Sequence, residues 1–145
     1  MTQSQHSISA AILVIGDEIL SGRTKDKNIG YIAEYLTGIG IDLTEVRVVA
    51  DDESAIIKAV NALRARYDYV FTTGGIGPTH DDITAECVAK AFGVEIRNDP
   101  RAIKLLSERL AQTGGEMNEA RMRMARIPKG ATLIDNPVSK APGFQ

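Results

Sequence analysis

Residues 8–16, ISAAILVIG, form an unbroken apolar run closed by glycine, the pattern of a strand buried on both faces, as in a parallel sheet. The polar stretch DEILSGRTKD (17–26) reads as a long loop. From Asn28 the period changes. Ile29, Ile32, Ala33 and Leu36 fall on one helical face, and Gly38 and Gly40 stop that helix. IDLTEVRVVA (41–50) alternates and is β-branched, predicting a second strand. DDES (51–54) offers N-cap residues and first-turn acids for a helix with the stripe Ile56, Ala59, Val60 and Leu63. DYVFTT (68–73) is the third strand. A glycine-rich turn follows, and then Ile83, Cys87, Val88, Ala91 and Phe92 mark one side of a third helix ended by Gly93. In NDPRAIKLLSERLAQTGG (98–115), Asp99 can cap a helix, Pro100 suits its first position and Gly114–Gly115 ends it. A short helix around 117–125 and a short strand in ATLIDNP (131–137) complete the pattern.

The order β-α-β-α-β-α-(αα)-β implies an α/β fold with a mostly parallel sheet and helices on both faces. Ligands of such sheets bind beyond the carboxyl ends of the strands. The loops 16–27, 50–53 and 74–82 leave those ends, so they are expected to share one edge. The chain reads as a disordered tail (1–7) and one domain (8–145) without an internal repeat or linker. Its end, SKAPGFQ, is irregular and carries an exposed-looking Phe144. The expectation is therefore a domain truncated at its C-terminus, with at least one more strand and helix in the natural product.

Composition narrows the classes. With 145 residues, 43% of them hydrophobic, one substantial core can form. A formal charge of −2 with mixed signs gives no footprint for nucleic acid. The one basic cluster, RMRMAR (121–126), alternates with Met122 and Met124 and reads as a solvated face beside a core. Cys87 is the single cysteine, so neither an intrachain disulfide nor a cysteine-based zinc site can form. On its helix face it should be buried and inert. The start, Met1–Ser7, lacks the features of a signal peptide, and the run Ala10–Ile15 is too short to span a bilayer. A cytoplasmic location without membrane attachment is expected.

The turn TTGGIGPTHDDIT (72–84) carries the candidate chemistry. It is not a P-loop, which would need G-x-x-x-x-G-K-[ST]. Nor is it the dinucleotide fingerprint, because Gly75-x-Gly77 lacks the third glycine and follows the third strand rather than the first. Gly74, Gly75 and Gly77 nonetheless permit positive φ and close approach of a ligand to backbone N–H groups. Pro78 stiffens the exit. Thr79, Asp81 and Asp82 stand where a helix N-terminus favours anions. A helix cap needs one carboxylate, and two adjacent ones repel by about 1 kcal/mol at a protein surface. Two acids beside an anion cradle make sense if Mg²⁺ or another divalent cation bridges acid and phosphate, or if the acid accepts hydrogen bonds from the ligand. Asp17 and Glu18 follow the first strand and could face the same pocket, with Ser21 and Gly22 supplying a hydroxyl and backbone contacts. Glu86 either turns back toward the loop or faces solvent, and Asp51 and Asp52 read as caps. His80 reads as an exposed loop residue. With His6 in the tail, no serine–histidine–acid set is visible.

TTGGIGPTHDDITAE (72–86) resembles the signature of the molybdopterin-binding fold family, which includes molybdenum-cofactor biosynthesis proteins of the MoaB/MogA type. More closely, the chain resembles the N-terminal domain of the competence/damage-inducible protein A (CinA) family. The pattern T-G-G-[IL]-G-P-T-x-D-D-x-T is matched from Thr73 to Thr84, and G-[DN]-E-[IL]-L-x-G by GDEILSG (16–22). Asn28, VVADD (48–52) and IPKGATLIDNP (127–137) extend the match to about residues 10–144. The family pattern N-P-x-G-T-A-P-G-F is also present from Asn136 to Phe144, with Ser139-Lys140 in place of Gly-Thr.

The resemblance implies a three-layer α/β/α fold that holds a pterin or nucleotide pyrophosphate at the Gly74–Gly77 turn. Thr73, Gly74, Gly75, Gly77, Pro78, Thr79, Asn136 and Pro137 then become binding candidates. Asp82 matches an acid essential for adenylylating molybdopterin in the biosynthetic relatives, whereas Asp81 matches the CinA-like branch alone. Both are candidate catalytic and metal-linked residues. Three functions follow as expectations: a molybdopterin- or nucleotide-binding domain; a Mg-dependent pyrophosphate hydrolase acting on ADP-ribose-like dinucleotides; or a catalytically silent oligomerisation domain. Relatives form dimers or trimers, so self-association is expected.

Overall fold

The computed structural model describes residues 6–145. Most of the expected tail, residues 1–5, lies outside the described residues. Two compact units divide between Gly74 and Gly75, within the glycine turn itself.

The first unit is built on β1 (Ile8–Ile15). Residues Ala10–Ile15 are all at most 2% exposed, as the apolar run predicts. The loop read at 17–26 in fact starts with a single helical turn, α1 (Asp17–Leu20). Helix α2 (Asn28–Gly38) leads to β2 (Ile41–Val49), parallel to β1 with a bulge at Ala10/Ala11. Helix α3 (Glu53–Arg64) then leads to β3 (Tyr69–Thr73), parallel to the other side of β1. Asp52 caps α3 by accepting from the Ala55 N–H at 2.8 Å. The strand order is thus β2-β1-β3. Right-handed crossovers with this order place α2 and α3 on opposite faces, giving helix, sheet and helix as three layers. The chain moves to one side of β1 and then to the other, which makes the carboxyl ends of β1 and β3 a topological switch point.

The second unit holds α4 (Thr84–Phe92), β4 (Ile96–Asn98), α5 (Pro100–Thr113), α6 (Glu119–Met122) with a 3₁₀ turn after it, β5 (Arg126–Pro128), β6 (Leu133–Ile134) and β7 (Gly143–Phe144). β4 pairs antiparallel with β5, two short strands that the hydrophobic pattern did not announce. The strand expected in 131–137 does not join the parallel sheet; β6 pairs antiparallel with β7. Phe144, read as exposed, is half-buried against a core of Ala102, Leu106, Ala125, Ile127 and Ala141. Met122 and Met124 pack there too. On α4, Cys87 is buried, but Phe92, at the end of the helix, is 53% exposed, and Gly93 closes the helix in a left-handed cap. Among the described residues no helix is long and apolar enough to cross a membrane.

Two local constraints generate predictions. Gly74 has φ +89, and a Cβ there would lie 2.0 Å from the Ile15 carbonyl oxygen. Gly93 also has positive φ, at +67, but open space around it. Gly74→Ala combines backbone strain with a main-chain clash and should cost about 3 kcal/mol or more, against about 1 kcal/mol for Gly93→Ala. Urea unfolding midpoints of the two variants check the difference.

Asp99 caps α5 and is 2% exposed. Its carboxylate takes the Arg101 guanidinium from Nε at 3.0 Å and Nη2 at 2.8 Å. These side-chain hydrogen bonds chiefly, with the Arg101 N–H and charge adding to them against desolvation, hold its pKa at about 2 instead of 3.8. The folded value lies below the unfolded one, so the stabilisation is complete above about pH 4 and is lost as pH falls through about 2. Asp99→Asn should therefore lose about 2 kcal/mol at neutral pH and flatten the acid limb of a stability–pH curve.

Candidate functional site

In the first unit, the carboxyl ends of the strands gather several predicted residues. Gly16 N–H extends the β1–β2 ladder by donating to the Val49 carbonyl at 3.0 Å. Beyond it, Asp17 and Asp51 exchange bonds: the Asp17 N–H donates to Asp51 Oδ2 at 3.0 Å, and the Asp51 N–H to Asp17 Oδ1 at 3.1 Å. These loops do share an edge, and Asp17 is a clasp between them. Glu18 folds back over Gly16, where a Cβ would meet its Oε1 at 2.6 Å. Ser21 is exposed, with its hydroxyl on the Glu18 carbonyl at 3.3 Å. Gly22 has φ +75. Thr73 ends β3 in register with Val14, and Gly74 turns tightly over the end of β1.

The second unit opens with the rest of the turn. Gly75 has φ +67, and its carbonyl accepts from the Thr84 N–H at 3.1 Å, tying the turn to the start of α4. The two acids then behave differently. Asp82 is half-buried, and its Oδ2 accepts from both the N–H and the hydroxyl of Thr79, at 2.8 and 2.7 Å. Gly77 makes room for this, since a Cβ there would stand 2.8 Å from the same oxygen. Asp81 is exposed beside His80, 3.4 Å from its Nε2. Neither acid caps α4, whose N-cap position is Ile83 without a side-chain bond. Pro78 and Thr79 are exposed.

A shallow cleft lies within this unit. Gly75, Ile76, Gly77, Asp82 and Ala85 line it together with Arg123, Met124, Arg126, Ile127, Pro142 and Phe144. Gly75, Gly77 and Asp82 were thus expected there, while the arginines and Phe144 were not. The signal was the RMRMAR cluster. Its methionines do face the core, but two of its arginines line the cleft, a correction to the reading of a merely solvated face. Arg126 is ion-paired with Glu86, which settles Glu86 neither on the turn nor in solvent but across from α4 to β5.

Asn136 and Pro137 do not line the cleft; they belong to the loop that leads to it. The Asn136 amide donates to Ser139 Oγ at 2.8 Å and to the Ala141 carbonyl at 3.1 Å. Its oxygen accepts from the Val138 and Ser139 N–H groups at 3.1 and 3.3 Å. These bonds hold Lys140 at φ +64, the one non-glycine residue with positive φ among those described. Asn136 therefore shapes the segment that delivers Pro142 and Phe144. Among the described residues no group of three or more histidine, cysteine or acidic side chains is placed to hold a metal.

Comparisons with known proteins agree with this architecture. The family model described as "Probable molybdopterin binding domain" matches residues 11–145. The chain is 43% identical over 134 residues to a CinA-like protein of Citrifermentans bemidjiense, covering 92% of this chain and 32% of that protein. It is 40% identical over 136 residues to a protein of Pyrobaculum calidifontis, covering 94% and 52%. The chain thus spans between a third and about half of the length of these relatives. The crystal structure of CinA from Thermoplasma acidophilum matches with a TM-score of 0.86 at 35% identity, over 95% of this chain and 80% of that one. MoaB from Pyrococcus furiosus, a tungsten-cofactor-synthesizing protein, shares the fold with a TM-score of 0.56 at 23% identity, over 77% and 68%. With the family model spanning nearly every residue and a CinA structure matching at that level, the chain belongs to the molybdopterin-binding domain family, close to CinA.

Proposed function

We propose that this chain is a molybdopterin- or nucleotide-binding domain that holds a phosphate of its ligand at the Gly74–Gly77 turn. One observation carries the reading: a shallow cleft is lined by Gly75 and Gly77 of the turn together with Arg123 and Arg126. Backbone N–H groups of a glycine turn and arginine forks are complementary to phosphate oxygens, and Ile76, Met124 and Phe144 give the same cleft apolar surface for a ring.

A second reading, metal-dependent hydrolysis of a dinucleotide pyrophosphate, is favoured by the state of Asp82. Thr79 occupies its Oδ2, which leaves Oδ1 for a cation or a reacting group. The residues fit a Mg²⁺ ion that takes one or two carboxylates and completes its shell with phosphate oxygens and water. Asp82 and Asp81 would hold it, and the ion would neutralise phosphate charge and activate water. The glycine turn would orient the pyrophosphate, and Thr79 would keep Asp82 in place.

The test is calorimetric binding of molybdopterin and of ADP-ribose, with and without Mg²⁺, beside an assay of pyrophosphate cleavage. Asp82→Asn keeps the Thr79 contacts available and should bind within about threefold of the parent. If the domain is a hydrolase, the same variant should lose turnover at least about 100-fold. Gly77→Ala, which displaces Asp82, should weaken binding by about tenfold or more while circular dichroism stays unchanged. Binding of neither class by the parent protein would overturn both readings. Light scattering on the same samples checks the expected dimer or trimer.

A further inference from the structure

The charges around the cleft are not equivalent. Arg126 donates to Glu86 Oε1, and the two side chains are only 34% and 30% exposed, so solvent screens the pair incompletely. Arg126 is thereby neutralised at its own position. Arg123 is exposed, and no ion pair engages its guanidinium among the described residues. Asp82 contributes a carboxylate to the same lining. The two guanidinium groups are thus matched by two carboxylates, although one carboxylate, Glu86, lies behind the lining rather than in it.

We infer that Glu86, acting through Arg126, sets the charge class of the phosphate this cleft accepts. With Arg126 cancelled, the cleft carries no surplus positive charge, so a singly charged phosphate, a diester or an internal diphosphate link, competes on equal terms with a doubly charged terminal phosphate. The inference rests on the phosphate reading above and deepens it. Glu86 is a positioning residue here: it orients Arg126 and cancels its charge without touching the ligand. Coulomb energy is proportional to ligand charge. Any change of one unit in the cleft must therefore move the logarithm of a dianion's affinity about twice as far as that of a monoanion.

The experiment compares adenosine 5′-monophosphate with its phosphate methyl ester at pH 8 and low salt. There the first is a dianion and the second a monoanion, with otherwise similar groups. Calorimetry on the full chain should show the parent binding the two ligands within about threefold of each other. Glu86→Gln should improve the monophosphate about tenfold and the ester about threefold, for a charge removed several ångströms away. Arg126→Gln should do the reverse, weakening the monophosphate more. The double variant should return to the parent's preference. If both ligands bind and Glu86→Gln moves neither, weakens both, or improves both by one factor, Glu86 is a structural partner alone and the inference is overturned with the phosphate reading intact. If Glu86→Gln does not fold, Arg126→Gln decides by the same criterion of unequal shifts. If the parent binds neither nucleotide at millimolar concentration, the inference falls together with nucleotide binding at this cleft.

Discussion

The burial of β1 on both faces is the constraint from which the first unit follows. Six consecutive residues, Ala10 to Ile15, are withdrawn from water, and each of the larger aliphatic side chains contributes about 1.5–3 kcal/mol when buried. That gain is available only if the backbone N–H and C=O groups on both edges find partners. β2 and β3 supply them, both parallel to β1. Parallel neighbours require crossover helices, and strands on opposite sides of β1 require those helices on opposite faces. The strand ends then align, and the consequences reach single atoms. The Gly16 N–H continues the ladder, Asp17 and Asp51 clasp each other, and Gly74 passes too close to the Ile15 carbonyl for any side chain to be tolerated.

In the second unit the organising feature is a division of labour between neighbouring charges. Asp81 and Asp82 are adjacent in sequence yet physically unlike: one is exposed beside His80, the other is folded beneath the turn onto Thr79. Gly77 is small so that Asp82 can occupy the space a side chain would fill. The arginines divide in the same way, one held by Glu86 and one facing the cleft without an ion pair.

Much of this was legible in the residues. The buried run of β1, the amphipathic stripes of α2 and α3, the Asp52 and Asp99 caps and the glycine stops are local statements, because each depends on a few neighbours along the chain. Gly75, Gly77 and Asp82 were legible as a motif. By contrast, β4 and β5 are three residues each, too short to show a period. β6 and β7 are shorter still, and their pairing depends on a return of the chain that no local pattern encodes. Phe144 is half-buried for the same reason, since a lone aromatic residue near a chain end carries no periodic signal for what will cover it. Phe92 did lie on a periodic stripe, yet as its last member it is exposed, because a stripe does not say where its neighbours end.

By itself, then, the sequence determined the class of fold, the order of its parallel elements and the place of the glycine-rich turn, since hydrophobic period, capping and glycine freedom act over a few residues. Only the tertiary structure decided which charges meet. Arg126 and Glu86 are 40 residues apart, and Arg123 lines the same cleft as Gly75 and Gly77 although it lies far from them in sequence. RMRMAR looked like solvent-facing charge because a helical pattern reports which residues avoid the core, not what the other side of the chain will bring to face them.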